Sequence, residues 1–420
     1  MTISRTICLG FMAVITIGAI LLMLPISMVD GHWHSPVVAL FTSTSAVCVT
    51  GLIVVDTGTY FSGFGQAVIL LLIQLGGLGY MTITTFLMLL LRKKFDFSQK
   101  FAIQESFDRP FLLGSRNLII SILATTLVFE LTGVFFLFQI FAGRFGVGQG
   151  LWLSIFHSIS AWNNAGFSLF ADSLIGYQSH WGLNLVISGL IIFGGIGYQT
   201  IIEMFYWVRD RLTGEKQRAH FSLNFKVVTS TTIFLLLLGT VAFFLTELTN
   251  EDMVANVPIP TQILESWFQS VTTRTAGFNT IDLAKMTETG LFITIVLMFI
   301  GASPSGTGGG IKTTTVRILA SCTRSILQGK EGVTIYQRSI PINLILKAVG
   351  VIFGSIMTVA IATTLISLTD SNFRFIELCF EVVSAFATVG LSVGITAKLS
   401  LWGQLILIAI MYIGRVAFCY

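Results

Sequence analysis

Phe386-Ala387-Thr388-Val389-Gly390-Leu391 lies between two long apolar runs, residues 344–368 and 399–420. Three other stretches repeat its centre: Val49-Thr50-Gly51-Leu52, Asn164-Ala165-Gly166-Phe167 and Thr275-Ala276-Gly277-Phe278. The four glycines recur at intervals of 115, 111 and 113 residues. An aromatic residue stands ten positions before each: Phe41, Phe156, Trp267 and Phe380. A second glycine follows each by 24 to 28 residues, always behind an apolar residue: Leu75-Gly76, Phe193-Gly194, Ile300-Gly301 and Ile413-Gly414. Self-similarity at a fixed period marks a repeated structural unit. This unit is too long for a solenoid repeat, and each copy holds two apolar runs near the roughly 20 residues that cross a bilayer.

Composition agrees with a membrane protein. Of 420 residues, 54% are hydrophobic and 10% charged, where a soluble domain carries about 25% charged residues. Each unit reads as an outer spanning helix, a shorter pore helix that enters without crossing, and an inner spanning helix. The runs are 7–28, 36–49 and 63–91, then 118–141, 151–165 and 183–208, then 225–248, 260–276 and 290–319, then 344–368, 373–389 and 399–420. The expected fold is an all-α polytopic membrane protein with eight spanning helices and four pore helices around a central pseudo-fourfold pore. Its repeats fall at residues 1–91, 115–208, 224–325 and 340–420. Residues 7–28 are too long for the apolar core of a signal peptide, and no small-x-small cleavage site follows them.

Cations gather in the loops that join one unit to the next. Arg92, Lys93, Lys94, Lys100, Arg109 and Arg116 follow the first unit, and Arg209, Arg211, Lys216, Arg218 and Lys226 the second. Lys312, Arg317, Arg324, Lys330, Arg338 and Lys347 follow the interruption in the third. Cytoplasmic loops carry the Lys/Arg excess, so both termini and the linkers are expected in the cytoplasm. The opposite side holds acids: Asp30, Asp56, Asp172, Glu247, Glu251, Asp252, Asp282, Glu288 and Asp370. They either concentrate cations at an outer rim or simply solvate loops.

Potassium channel filters are loops reading Thr-Val-Gly-Tyr-Gly, whose backbone carbonyls replace the ion's water shell. Thr388-Val389-Gly390 matches the first three letters, with Leu391 in place of Tyr. Glycine suits such a loop because it adopts dihedrals closed to other residues and lets four loops approach closely. The chain has 40 glycines, so a single one signifies little; four in register signify a shared site. Irregular backbone at membrane depth is tolerated only where it lines a cavity or is buried in protein. The candidate filter residues are Val49, Thr50, Gly51, Asn164, Ala165, Gly166, Thr275, Ala276, Gly277, Thr388, Val389 and Gly390.

Asn163 to Phe167, Thr272-Thr273-Arg274-Thr275-Ala276-Gly277-Phe278-Asn279-Thr280, the segment 301–314 and Gly414-Arg415 together resemble the Trk/Ktr/HKT superfamily of potassium transporters. The resemblance covers essentially the whole chain. It is greatest to the bacterial KtrB type of membrane subunit, which has a short amino terminus and eight helices. It implies potassium uptake across the cytoplasmic membrane of a bacterium, with potassium bound at the filter residues. Sodium-preferring plant HKT proteins carry serine at the first filter, so Gly51 implies potassium preference. It also implies a homodimer, a cytosolic ring of nucleotide-binding domains as regulator, and no cofactor on this chain; whether sodium is required stays open. The end of the chain, from Val416 to Tyr420, stops six residues past Gly414 and lacks the Gly-Pro that often follows this arginine. A shortened last helix is therefore expected.

The segment 301–315 interrupts the third inner helix. Six of the ten residues from Gly301 to Gly310 are Gly or Pro, poor helix formers. A phosphate loop needs Lys directly after its Gly, but Ile311 separates Gly310 from Lys312 and no strand precedes. The better reading is an intramembrane gate built from Ser303, Ser305, Gly306, Thr307, Gly308, Gly309, Gly310 and Lys312, with Arg415. Arg415 aligns with Gly77, Gly195 and Ala302; it either faces the pore or snorkels to the surface. Glu130 and Glu203 fall at membrane depth as partners of a basic residue or near helix ends. An alternating-access carrier would arrange broken helices as inverted repeats; two crossings per unit make these repeats parallel, which favours a pore. His32, His34, His157, His180 and His220 form no spaced constellation, and five cysteines show no CxxC spacing, so neither enzyme nor metal site is expected.

Overall fold

The computed structural model describes residues 3–79, 115–214, 221–250, 257–330 and 332–416. The four outer helices are α1 (Ile3–Met23), α5 (Ser115–Phe145), α9 (Leu223–Glu247) and α13 (Ile342–Thr369). Among the described residues these are the four helices long and apolar enough to cross a membrane unaided. They leave large apolar side chains uncovered, among them Phe135, Phe136, Phe234, Leu237, Phe353 and Ile361. In water such stripes drive aggregation; in a bilayer they face lipid, and the helix satisfies its own backbone.

The pore helices are α2 (Pro36–Val47), α6 (Val147–Trp162), α10 (Ile259–Thr272) and α14 (Phe375–Phe386). Proline at or next to the first helical position starts α2 and α10, where its missing N–H would have had no partner. The one-turn helix α3 (Thr57–Tyr60) links the first pore helix to α4 (Gly63–Leu78). Packing runs round a circle: the inner helix of each unit lies on the pore helix of the next. α4 packs on α6, α7 (Trp181–Ile196) on α10, α11 (Glu288–Phe299) on α14, and α15 (Leu401–Val416) on α2. The last contact closes the ring, and Tyr412 Oη donates to Cys8 O at 2.9 Å across it.

The second inner span differs from the expected continuous helix. The run expected at 183–208 breaks at Gly197 (φ +92°) into α7 and α8 (Tyr198–Thr213), bent by 104°. The third run unwinds after Phe299 and resumes as α12 (Thr313–Leu327). The first ends its described part at Gly79, and residues 80–91 with the basic stretch 92–109 lie outside the described residues. After α12 comes a small hairpin, β1 (Thr334–Ile335) with β2 (Arg338–Ser339). Its turn residues Tyr336 and Gln337 both have positive φ, 49° and 63°, the geometry that matches strand twist.

Candidate functional site: a ring of four glycine loops

Each pore helix ends in the same backbone signature. Val49, Asn164, Thr275 and Thr388 have φ of 57°, 56°, 67° and 51°. Two residues later Gly51, Gly166, Gly277 and Gly390 have φ of 90°, 69°, 79° and 91°. A left-handed residue normally ends a helix as glycine. Here three β-branched residues hold that conformation, each at a cost of about 1–2 kcal/mol. Strain of this kind persists only where the surroundings enforce it, and it clusters at functional sites. Gly51 N–H and Gly390 N–H donate to Ser45 Oγ and Ser384 Oγ, both at 3.1 Å, in their own pore helices.

The four loops touch in order. A Cβ on Gly51 would strike Ala165 O and lie 3.0 Å from Gly166 Cα; one on Gly166 would lie 2.8 Å from Ala276 O. One on Gly277 would lie 2.5 Å from Val389 O, and one on Gly390 would strike Thr50 O, 3.0 Å from Gly51 Cα. Eight of the twelve candidate filter residues, Thr50, Gly51, Ala165, Gly166, Ala276, Gly277, Val389 and Gly390, thus meet in one closed ring of backbone, and Val49, Asn164, Thr275 and Thr388 are the left-handed residues that lead into it. The second glycine series makes a different contact. Gly76, Gly194 and Gly414 lie against the carbonyls of Val47, Trp162 and Phe386, each four residues before a ring glycine. Gly301 instead faces Gly309 O of its own loop.

The third unit is one residue shorter between pore helix and glycine. Phe41, Phe156 and Phe380 are fully buried ten residues ahead of their glycines, but in the third unit Phe268, nine ahead, fills that slot, and the expected Trp267 is only partly buried. Ser43 Oγ and Ser158 Oγ donate to Ile15 O and Glu130 O of the outer helices; their counterpart Ser270 donates to Leu236 O. That serine stands eight, eight and seven residues before the glycine. The turn tightens to match. Thr50, Ala165 and Val389 N–H bond to the carbonyl five residues back, whereas Ala276 N–H bonds four back, to Thr272 O.

The segment 301–312 lies against the pore-helix end of the ring. Its stem pairs Gly301 N–H with Ile311 O (2.9 Å) and Ala302 N–H with Gly309 O (3.2 Å). Gly309 N–H donates to Thr388 Oγ1 at 3.1 Å, a Cβ on Gly308 would strike Thr275 Oγ1, and Thr307 Oγ1 donates to Trp162 O at 3.3 Å. Lys312 Nζ folds back onto Gly308 O at 2.9 Å, and Thr313 Oγ1 meets Ser303 Oγ at 3.0 Å. The Gly197 break is the seat of this segment. The end of α7 has carbonyls without helical partners; Gly195 O and Gly194 O accept from Ser303 and Thr307 N–H at 3.0 and 3.1 Å. Tyr198 N–H returns a bond to Ser305 O at 3.2 Å, and a Cβ on Gly197 would collide with Pro304 O. Ser305 and Gly306 thus lie on the second inner helix, at the far edge of the segment.

Two buried arginines hold the segment at separate points. Arg415, 6% exposed, donates from Nη1 to Thr307 O and from Nη2 to Gly76 O, both at 2.6 Å. It is inside the protein and does not snorkel. Arg274, 8% exposed, donates from Nη2 to Gly301 O at 3.2 Å; nothing in its sequence context marks it apart from the loop it follows. Glu130 is buried and accepts from Asn163 Nδ2 at 3.3 Å, alongside Gln74 Oε1 at 2.8 Å, so it supports the base of the second loop. Glu203 accepts Ser222 N–H and Oγ at 3.1 and 2.9 Å, at the start of α9. Three of the loop acids bond locally: Glu247 accepts Thr287 Oγ1 at 2.8 Å, Asp370 accepts Ser400 Oγ at 2.8 Å and Asp56 accepts Gly58 N–H at 3.2 Å. Asp30 accepts His32 N–H and contacts the His34 ring, which holds its carboxyl below the usual range.

The sequence matches the TrkH family of cation transport proteins over residues 8–419, and the chain belongs to that family. It is thus a multi-span membrane transporter, not an enzyme. It is 38% identical over 416 residues to the Ktr system potassium uptake protein B of Bacillus subtilis (strain 168), covering 99% of this chain and 91% of that one. It is 37% identical over 417 residues to the potassium/sodium uptake protein NtpJ of Enterococcus hirae, covering 98% and 90%. The crystal structure of the potassium transporter TrkH from Vibrio parahaemolyticus has the same fold, with a TM-score of 0.73 over 97% of this chain and 83% of that one at 16% identity.

Proposed function

We propose that this chain takes up potassium through the ring, with the four glycine loops as its selectivity filter and the 301–312 segment with Arg415 as its gate. The observation that carries this reading is the closed ring itself. Four backbone strands meet with their glycines in contact, which supports a site lined by backbone carbonyls rather than side chains. Alternating positive and ordinary φ along each strand keeps carbonyls from pointing to opposite sides, as they do in a regular strand. Four helix carboxyl ends lead into the ring, each equivalent to roughly half a negative charge, which favours a cation over an anion. Potassium in particular is supported by the names of the relatives, and sodium as a second ion by NtpJ.

The same reading assigns the repeats to residues 1–91, 115–208, 224–325 and 340–420. It puts the chain in a bacterial inner membrane with both termini cytoplasmic, as a homodimer regulated by a cytosolic nucleotide-binding ring; the word system in the relative's name supports a partner. The test is Gly51→Ser in proteoliposomes. A Cβ there strikes Ala165 O, so the potassium-over-sodium ratio should fall by about tenfold, the effect of 1.4 kcal/mol. An unchanged ratio with saturable, slow transport would favour the carrier reading. Uptake in a potassium-uptake-deficient bacterium, with and without the cytosolic partner, checks the substrate and the regulation.

A further inference from the structure

Two of the four pore helices carry a buried polar side chain that reaches a serine two residues past the ring glycine. His157 and Glu381 each stand nine residues before their ring glycine, and both are buried, 0% and 1% exposed. Their partners are serines two residues after that glycine, Ser168 and Ser392. His157 Nε2 lies 3.0 Å from Ser168 Oγ. Its Nδ1 is 2.8 Å from Leu153 O, which can only accept, so Nδ1 carries the proton and Nε2 accepts the serine hydroxyl. Ser168 Oγ has Ser173 O at 3.3 Å as a longer alternative. Glu381 Oε1 accepts from Ser392 Oγ and from Val393 N–H at 3.2 Å, and Oε2 accepts from Thr396 Oγ1 at 2.8 Å. Each serine oxygen in turn accepts the N–H two residues on, from Phe170 at 3.0 Å and from Gly394 at 2.9 Å.

The other two loops are built differently. In the first, Thr42 holds the pore-helix position and Ile53, which cannot hydrogen-bond through its side chain, holds the partner's. In the third, allowing for the missing residue, Gln269 holds the position and reaches Met286 Sδ at 4.0 Å, while Asn279 turns to Ile281 O at 3.1 Å. Round the ring the second and fourth loops are diagonal to each other. One diagonal therefore carries this serine link and the other does not; in the third unit Thr272 Oγ1 instead donates to Phe278 O, one residue past its ring glycine, as Ser160 Oγ does to Phe167 O in the second.

We propose that His157 and Glu381 are positioning residues that fix the outer ends of the second and fourth loops and so set how strictly the ring discriminates among cations. This rests on the filter reading above. A ring of carbonyls distinguishes ions of different size only if it resists shrinking around the smaller one, and a site keeps such geometry when a supporting shell locks it. A brace on each of two facing strands resists that movement along one diagonal. The braces touch no ion, and they act on backbone that the serines cap.

The test uses the full chain in proteoliposomes, reading apparent KM for potassium, maximal rate and the potassium-over-sodium ratio. Ser392→Ala and Ser168→Ala cut the links from half-buried loop positions and keep the test decidable if Glu381→Gln or His157→Phe fails to fold. Each serine variant should lower the ion ratio by about three- to tenfold, the range expected for one hydrogen bond, and raise KM with it. Glu381→Gln with Ser392→Ala should be less than additive, because the two residues share one link while Glu381 also holds Val393 N–H and Thr396 Oγ1. A merely structural role would lower the amount of folded protein or the maximal rate and leave the ratio alone. Wild-type ratio and KM in both serine variants would overturn the proposal. Gly390→Ser measured beside them separates the two readings. If it moves the ratio and the serines do not, the braces fall and the filter stands; if it too has no effect, both fall.

Discussion

The third and fourth inner helices pass the same depth in opposite ways. After Phe299 the third unwinds into a largely buried segment whose backbone groups have left the helical ladder. After Gly414 the fourth stays helical to Val416 and carries Arg415 where the third has Ala302. An unwound segment inside a membrane has carbonyls that need donors, and a buried guanidinium has donors that need acceptors. The two meet at Thr307 O, 2.6 Å from Arg415 Nη1. Fourfold repetition is broken in two places, and each break satisfies the other. The first two units take part as well, since Gly76 O accepts the second arm of Arg415 and the Gly197 break seats the loop.

That pairing can be broken from either side. Deleting residues 305–309 removes the carbonyl and the obstruction together, and maximal potassium flux should rise by about a hundredfold with the ion ratio unchanged. The figure is the effect of letting Arg415, a unit charge ~6 Å from a passing ion, move aside once its Thr307 anchor is gone, about 3 kcal/mol at an effective dielectric near 20. Unchanged flux in a folded deletion protein would end the gate reading. Arg415→Ala leaves the loop in place and should raise flux by about tenfold, the effect of 1.4 kcal/mol. Combined with the deletion it should add little. Independent addition in log flux would mean that arginine and loop are separate devices. Gly197→Ala should have the smallest effect on flux: it disturbs only the seat, where a side chain meets a disfavoured backbone conformation and collides with Pro304 O. A lower thermal midpoint with a rise in flux of a few fold is expected; a lower midpoint alone would make the second break incidental to gating.

Much of this architecture is legible before any coordinates. Evenly spaced glycines predict four equivalent loops; the second glycine series, read from the sequence only as part of the repeat, proves in three units to mark a helix lying on a pore-helix carbonyl. What spacing cannot see is a length change hidden by similar residues. Trp267 and Phe268 are adjacent aromatics, so the shorter third unit still shows an aromatic ten residues ahead of Gly277 while a different ring fills the slot. Gly197 sits in an apolar run between Ile196 and Tyr198 and looks like any membrane glycine. Its break is imposed by Pro304 to Gly306, more than a hundred residues away in sequence, and such a contact leaves no local pattern. Arg274 is hidden for the same reason, because its acceptor Gly301 O exists only where the third helix has unwound.

The circular packing has a consequence for how the chain is made. Gly76 and Arg415 are 339 residues apart in sequence, and Cys8 and Tyr412 are 404 apart. Synthesis proceeds at roughly 5–20 residues per second, so the first loop is in the membrane about 20 to 70 s before its final neighbour emerges. For that time α2 lacks the helix that covers it and the Gly76 carbonyl lacks its donor. The earliest-made quarter of the protein is therefore the last to be completed. Any late fault in translation or insertion is registered at the opposite end of the chain, where an uncovered polar face inside the bilayer is open to membrane proteases.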